Sequence, residues 1–80
     1  MKHEGVIGIP GQNGRYTTVK YELSANKRRG KNGINNGRIT ELTLSIDGEI
    51  TVRYNHGWTR EADAGLPTQM ALCILLENHN

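Results

Sequence analysis

Between residues 17 and 23 every second side chain, Thr17, Val19, Tyr21 and Leu23, is of a kind that fills the buried side of a sheet. Tyr16, Thr18, Lys20 and Glu22 take the places between them. The alternation returns at Leu42, Leu44 and Ile46, and again at Ile50, Val52 and Tyr54. Successive side chains of an extended chain point to opposite faces, so these runs specify strands with one face buried and the other in water. With 80 residues to work with, they belong to one domain, residues 1–80, with a single thin core. A chain of this size hides only about 60–65% of the surface it exposes when unfolded.

Residues 5–9 read as a first short strand. Pro10 and Gly11 suit the central positions of a type II turn, and Asn13-Gly14 completes that loop. Glycine at 5, 8, 11 and 14 superficially resembles a collagen repeat, but the pattern stops far short of what a triple helix needs. Residues 15–23 form the second strand, residues 24–37 a long connection and residues 38–46 the third strand. Ile39 is out of phase with Leu42, which points to a bulge near Thr40 and Glu41 or to a turn-end contact on the other face. Glu49 to Asn55 makes the fourth strand, with Ile50, Val52 and Tyr54 inward. A two-residue Asp47-Gly48 turn pairs Ile46 with Glu49, puts Leu44 on a face with Thr51 and Ile50 with Ser45, and so splits the apolar residues between both faces. A three-residue turn, Ile46-Asp47-Gly48, instead pairs Leu44 with Ile50 and Leu42 with Val52, and is therefore expected. Residues 54–65 read as a polar connection in which Gly57 allows the reversal. Pro67 fits a first helical turn, and residues 68–78 read as a helix with Met70, Ala71, Leu72, Ile74 and Leu75 on the sheet. Residues 71–76 are apolar almost all round, which calls for a deep groove or a partner on the outer side. The expected fold class is α+β, a four-stranded antiparallel β-meander packed on one C-terminal α-helix.

Ten Lys and Arg against eight Asp and Glu leave a net charge of +2, which by itself selects no partner. The single cysteine, Cys73, excludes an internal disulfide, and small secreted domains are usually stapled by several. The expectation is a cytoplasmic protein. The longest apolar run, residues 70–76, is far below the roughly 20 residues a membrane span needs. The first ten residues carry no apolar stretch of signal-peptide length.

Little supports catalysis. Ser24 and Ser45 lack a nucleophile-elbow context. Cys73, inside an apolar helical run, reads as a small core residue. His3, His56 and His79 have no metal-ligand spacing, and His3 and His79 sit near ends expected to fray. Glu61 and Asp63 are too local and too exposed for an acid–base pair. Neither phosphate-loop glycine pattern is present in a strand-to-helix context. No enzyme activity, metal or cofactor is expected.

Two stretches remain. Residues 26–37, N-K-R-R-G-K-N-G-I-N-N-G, contain Lys27, Arg28, Arg29 and Lys31 and no acid. They read first as a solvated loop between strands. The functional alternative is nonspecific contact with nucleic-acid phosphates through loop 27–31, with Tyr16, Thr18, Lys20 and Arg53 adding a weak basic-aromatic surface. In Y-N-H-G-W (54–58), Trp58 is the only tryptophan of a phenylalanine-free chain. It reads as a structural anchor folded over the core end or as an exposed recognition residue, with His56 beside it.

G-I-N-N-G-R-I-T-E-L (33–42) and Y-N-H-G-W (54–58) together resemble a family of small uncharacterised proteins on conjugative transposons and phages of Gram-positive bacteria. The matching positions are Gly33, Ile34, Gly37, Arg38, Ile39, Leu42, Tyr54, Gly57 and Trp58, and the stretch they span covers about a third of the chain. Asn55 departs from the pattern, which has aspartate there. The resemblance implies a cytoplasmic accessory protein of a mobile element and brings no activity or catalytic residues with it. The expected function is that of a non-enzymatic binding or adaptor module. Its partner is another protein or a second copy, engaged through surplus apolar helix surface or an open sheet edge. Nucleic acid is the alternative partner, and no membrane is expected.

Overall fold

The computed structural model describes residues 1–11, 14–60 and 65–80, with the side chain of Leu66 outside that set. Among the described residues the sheet has five strands, β1 (Lys2–Pro10), β2 (Tyr16–Ala25), β3 (Ile39–Ile46), β4 (Glu49–Asn55) and β5 (Trp58–Arg60). They lie in chain order, each antiparallel to the next. The α-helix α1 (Leu66–His79) crosses one face against β1, β2 and β3. The α+β meander and its helix are thus as expected, with one strand more. β5 lies inside the stretch read as a polar connection; at three residues it is too short to show a period.

The core sits between sheet and helix. Cross-strand pairing lines up Leu23, Leu42 and Tyr54 in one row and Tyr21, Leu44 and Val52 in the next. On α1, Thr68, Ala71 and Leu75 are buried, three and four residues apart, which is one helical stripe. Met70, Leu72 and Leu76 are partly buried against the core. The sequence reading erred at Cys73 and Ile74, which are exposed on the opposite side. An all-apolar run contains no phase, so it does not say which stripe faces inward. Pro67 stands in the first turn, where its missing N–H costs nothing.

Three single-residue bulges set the register among the described strands, one of them at Thr59, between the Arg53–Arg60 and Tyr54–Trp58 pairs. In β3 the ladder runs Ser24–Glu41 and then Ala25–Ile39, leaving Thr40 as the extra residue. That is the bulge expected from Ile39, and it lets Ile39 and Leu42 both reach the core. In β4, Ser45 pairs with Ile50 and Leu44 with Val52, so Thr51 is extra, its hydroxyl donating to the Leu44 carbonyl at 3.4 Å. The preceding turn is the two-residue Asp47-Gly48, with φ of 52° and 82° at the two positions. The expected three-residue turn and the Leu44–Ile50 pair are therefore corrected. The parity conflict is real, and the bulge at Thr51 resolves it. Its cost is Ile50, which lands outside rather than in the core and is 39% exposed.

The other turns depart from expectation in a common way. Pro10 is not a turn residue but ends β1, paired with Tyr16, and the left-handed glycine nearby is Gly14 rather than Gly11. Asn13 lies outside the described residues. At the β4–β5 reversal His56, not Gly57, takes positive φ. Among the described residues, the non-glycine ones with positive φ are Asn35, Asn36, Asp47 and His56. These are the residue types that tolerate the left-handed region best.

The ends of the chain are tied down rather than frayed. The Met1 nitrogen donates to the Ala25 carbonyl at 2.7 Å. The His3 and His79 rings stack at 4.7 Å between centroids. Asn80 accepts from the Ile39 N–H and donates to the Ile34 carbonyl, both at 3.0 Å.

Candidate functional site

The long β2–β3 connection is anchored around Ile34 and tied again at Gly30, whose N–H donates to the Gly37 carbonyl at 3.2 Å and whose carbonyl accepts from the Gly33 N–H at 3.1 Å. Ile34 is buried in the core. Gly33 and Gly37 close a tight turn through the Asn36 N–H to Gly33 carbonyl and Gly37 N–H to Ile34 carbonyl bonds. A Cβ on Gly33 would collide with the Gly37 backbone, and one on Gly37 with the Asn80 side chain. The Tyr54 hydroxyl donates to the Asn32 carbonyl at 2.9 Å, holding the near end of the loop. The motif G-I-x-x-G-R-I is therefore a packing device. Arg38 contributes by donating through Nε to the Asn26 carbonyl at 2.9 Å.

Lys27, Arg28, Arg29 and Lys31 flank that Gly30 contact and are all exposed. They are brought together by sequence alone, since no regular element fixes their spacing. The outward residues Tyr16, Thr18, Lys20 and Arg53 are on the sheet face away from α1, as expected.

Trp58 pairs across the strands with Tyr54, ring edge to face at 4.9 Å and 74°. It is 42% exposed, so it is neither a fully buried anchor nor a free side chain. It prolongs the core row past the reach of α1. His56 is exposed, and its N–H donates to the Thr40 carbonyl at 2.9 Å. Its firm role is thus in the backbone of the reversal. His79 has a pKa below the ordinary value, first because burial disfavours its charge, then through His3 and Arg38. Glu61 and Asp63 lie outside the described residues. Among the described residues, no group of three His, Cys, Asp or Glu is placed to hold a metal ion, and no helix is long and apolar enough to cross a membrane.

The sequence reading missed one surface, the uncovered face of the sheet. Its middle row runs Glu4, Glu22, Thr43, Arg53, Arg60 from β1 to β5. The adjacent row holds Val6, Lys20, Ser45 and Ile50. Val6 is 62% exposed and Tyr16, further along, 71%. Glu4, Val6, Lys20, Glu22, Thr43 and Ile50 border an open groove of about 520 Å³. The signal lay in the outward positions of the strands, once their pairing order is known.

A family model described as a domain of unknown function, DUF7678, matches residues 1–80. The chain belongs to this family. No curated protein and no solved structure matches it. The family places no reaction or ligand on the DUF7678 domain, so its surfaces carry the functional argument. The expected origin on a transposon or phage is finer than this family membership.

Proposed function

We propose that the domain is a non-enzymatic protein-binding module that docks its partner on the uncovered face of the sheet. The observation that carries this reading is the composition of that face. Apolar side chains, Val6 and Ile50, lie exposed at the two ends of one row along an open groove, with Lys20 and Ser45 between them and Glu4, Glu22 and Thr43 in the row beside it. That second row continues beyond the groove to Arg53 and Arg60. Exposed apolar side chains set among charges of both signs mark protein contacts more than phosphate contacts. The partner it fits is a polypeptide surface with its charges in the reverse order. The setting is the cytoplasm of a Gram-positive host and the gene a mobile element's. The support is the short motifs at 33–42 and 54–58 and a lone free thiol in place of disulfide staples.

Capture from a host lysate with nuclease treatment in parallel tests this reading. The immobilised domain is compared with the face variant V6K/I50K and with a loop variant carrying alanine at Lys27, Arg28, Arg29 and Lys31. Proteins held by the parent and the loop variant, resistant to nuclease and lost from the face variant, are the expected result. Retention that ignores the face variant overturns it.

The alternative, phosphate contact through loop 27–31, is favoured by the exposure of its four cations. Four duplex phosphate contacts give a slope of log K against log salt near about −3.6. Binding without that dependence, or none at low salt, removes it.

A further inference from the structure

We infer that the occupant of the uncovered face is a second copy of the same chain, laid face to face about a two-fold axis along β3. The inference rests on reading that face as a docking surface. Its basis is the order of charge in the middle row. Pairing sets Glu4 directly opposite Glu22, and Arg53 directly opposite Arg60, with Thr43 between the two pairs. Like charges facing each other across a ladder repel, so a lone sheet carries two unfavourable pairs in one row. The row is antisymmetric about its centre.

A two-fold rotation about β3 exchanges β1 with β5 and β2 with β4. It lays Glu22 over Arg53 of the second copy and Glu4 over Arg60, and each contact occurs twice because the interface is isologous. Thr43 and Ser45 lie on the axis and are small enough for close approach. In the adjacent row the aliphatic stem of Lys20 comes over Ile50 of the second copy, with Val6 one strand away. Sheets packed in this way sit about 10 Å apart with strands within roughly 30° of alignment. Rotation about an axis across the strands instead brings β1 onto β1 and acid onto acid. Glu41, also on β3 and outward opposite Ser24 and Asn55, meets its own copy along the axis and opposes the pairing.

Sedimentation velocity across protein concentration, at low and at high salt, tests the inference. The parent, E22R, R53E, E22R/R53E and E41Q are compared, with circular dichroism confirming that each is folded. The expected result is a salt-sensitive dimer of the parent, weakened roughly tenfold or more by E22R or R53E alone. Mixing the E22R and R53E chains restores association, as does combining both changes in one chain, and E41Q tightens it. A parent that stays monomeric throughout, or a dimer indifferent to both reversals and so using another surface such as the open edge of β1, overturns self-pairing. If the V6K/I50K variant still loses captured proteins in either case, the docking reading stands and only the choice of partner falls. If it loses none, both fall.

Discussion

The Asn80 side chain bridges the Ile34 carbonyl and the Ile39 N–H, both at 3.0 Å, joining the end of α1 to the β2–β3 connection. Asn80→Ala leaves two partly buried backbone groups without partners. The expected loss is about 1–3 kcal/mol, read as a lower urea midpoint with unchanged slope. Asn78→Ala, at an exposed position within α1, is the control and does not lower the midpoint, since alanine is the better helix former.

Gly37→Ala forces a methyl into the Asn80 amide. Overpacking of this kind costs roughly 1–3 kcal/mol, and combined with Asn80→Ala the two losses sum to less than their separate values. Gly30→Ala meets open space and is expected to change thermal stability little.

The Asp47-Gly48 turn makes opposite demands on its two residues. Gly48→Ala places a side chain at φ of 82° and costs about 1–2 kcal/mol, while Asp47→Asn, at φ of 52°, is nearly neutral. Thermal melts of the two variants check the contrast.

Removing Trp58 deletes its edge contact with Tyr54. Trp58→Ala lowers stability by about 0.5–1.5 kcal/mol beyond the lost burial, and Trp58→Phe keeps most of it. Iodide quenches the native tryptophan emission partially, less than in the unfolded chain and more than for a buried indole.

Stability depends on pH through His79. Its pKa is lowered on folding, so near and below 6.5 the unfolded chain binds more protons than the folded one. The contribution is therefore complete above that pH and is lost as the pH falls toward the folded value. A melting temperature that drops on acidification from about pH 7.5, with a shallower slope in His79→Gln, is expected. Proton NMR titration of the ring places its midpoint below 6.5.

What the sequence disclosed followed from periodicity. Val19, Leu23, Leu44 and Val52 were readable as inward because alternation fixes faces directly, and all four are buried. Thr40 was readable as a bulge because Ile39 broke phase. Thr51 was not, because the bulge sits where a change of turn length explains the same pattern equally well. Cys73 and Ile74 were unreadable because a run without polar residues has no outward side. The charge order Glu4, Glu22, Arg53, Arg60 was hidden for another reason. The four residues are scattered over residues 4–60 of the chain, and only strand order makes them a row.

The extra residues Thr40 and Thr51 also mark where relatives of this chain can lose length without losing the fold. The pairs flanking each are consecutive on the partner strand, Ser24–Glu41 with Ala25–Ile39 and Ser45–Ile50 with Leu44–Val52, so deleting the extra residue closes the bulge and leaves every side chain on its face. Deleting a paired residue within a strand instead turns the side chains beyond it to the wrong side until the next turn.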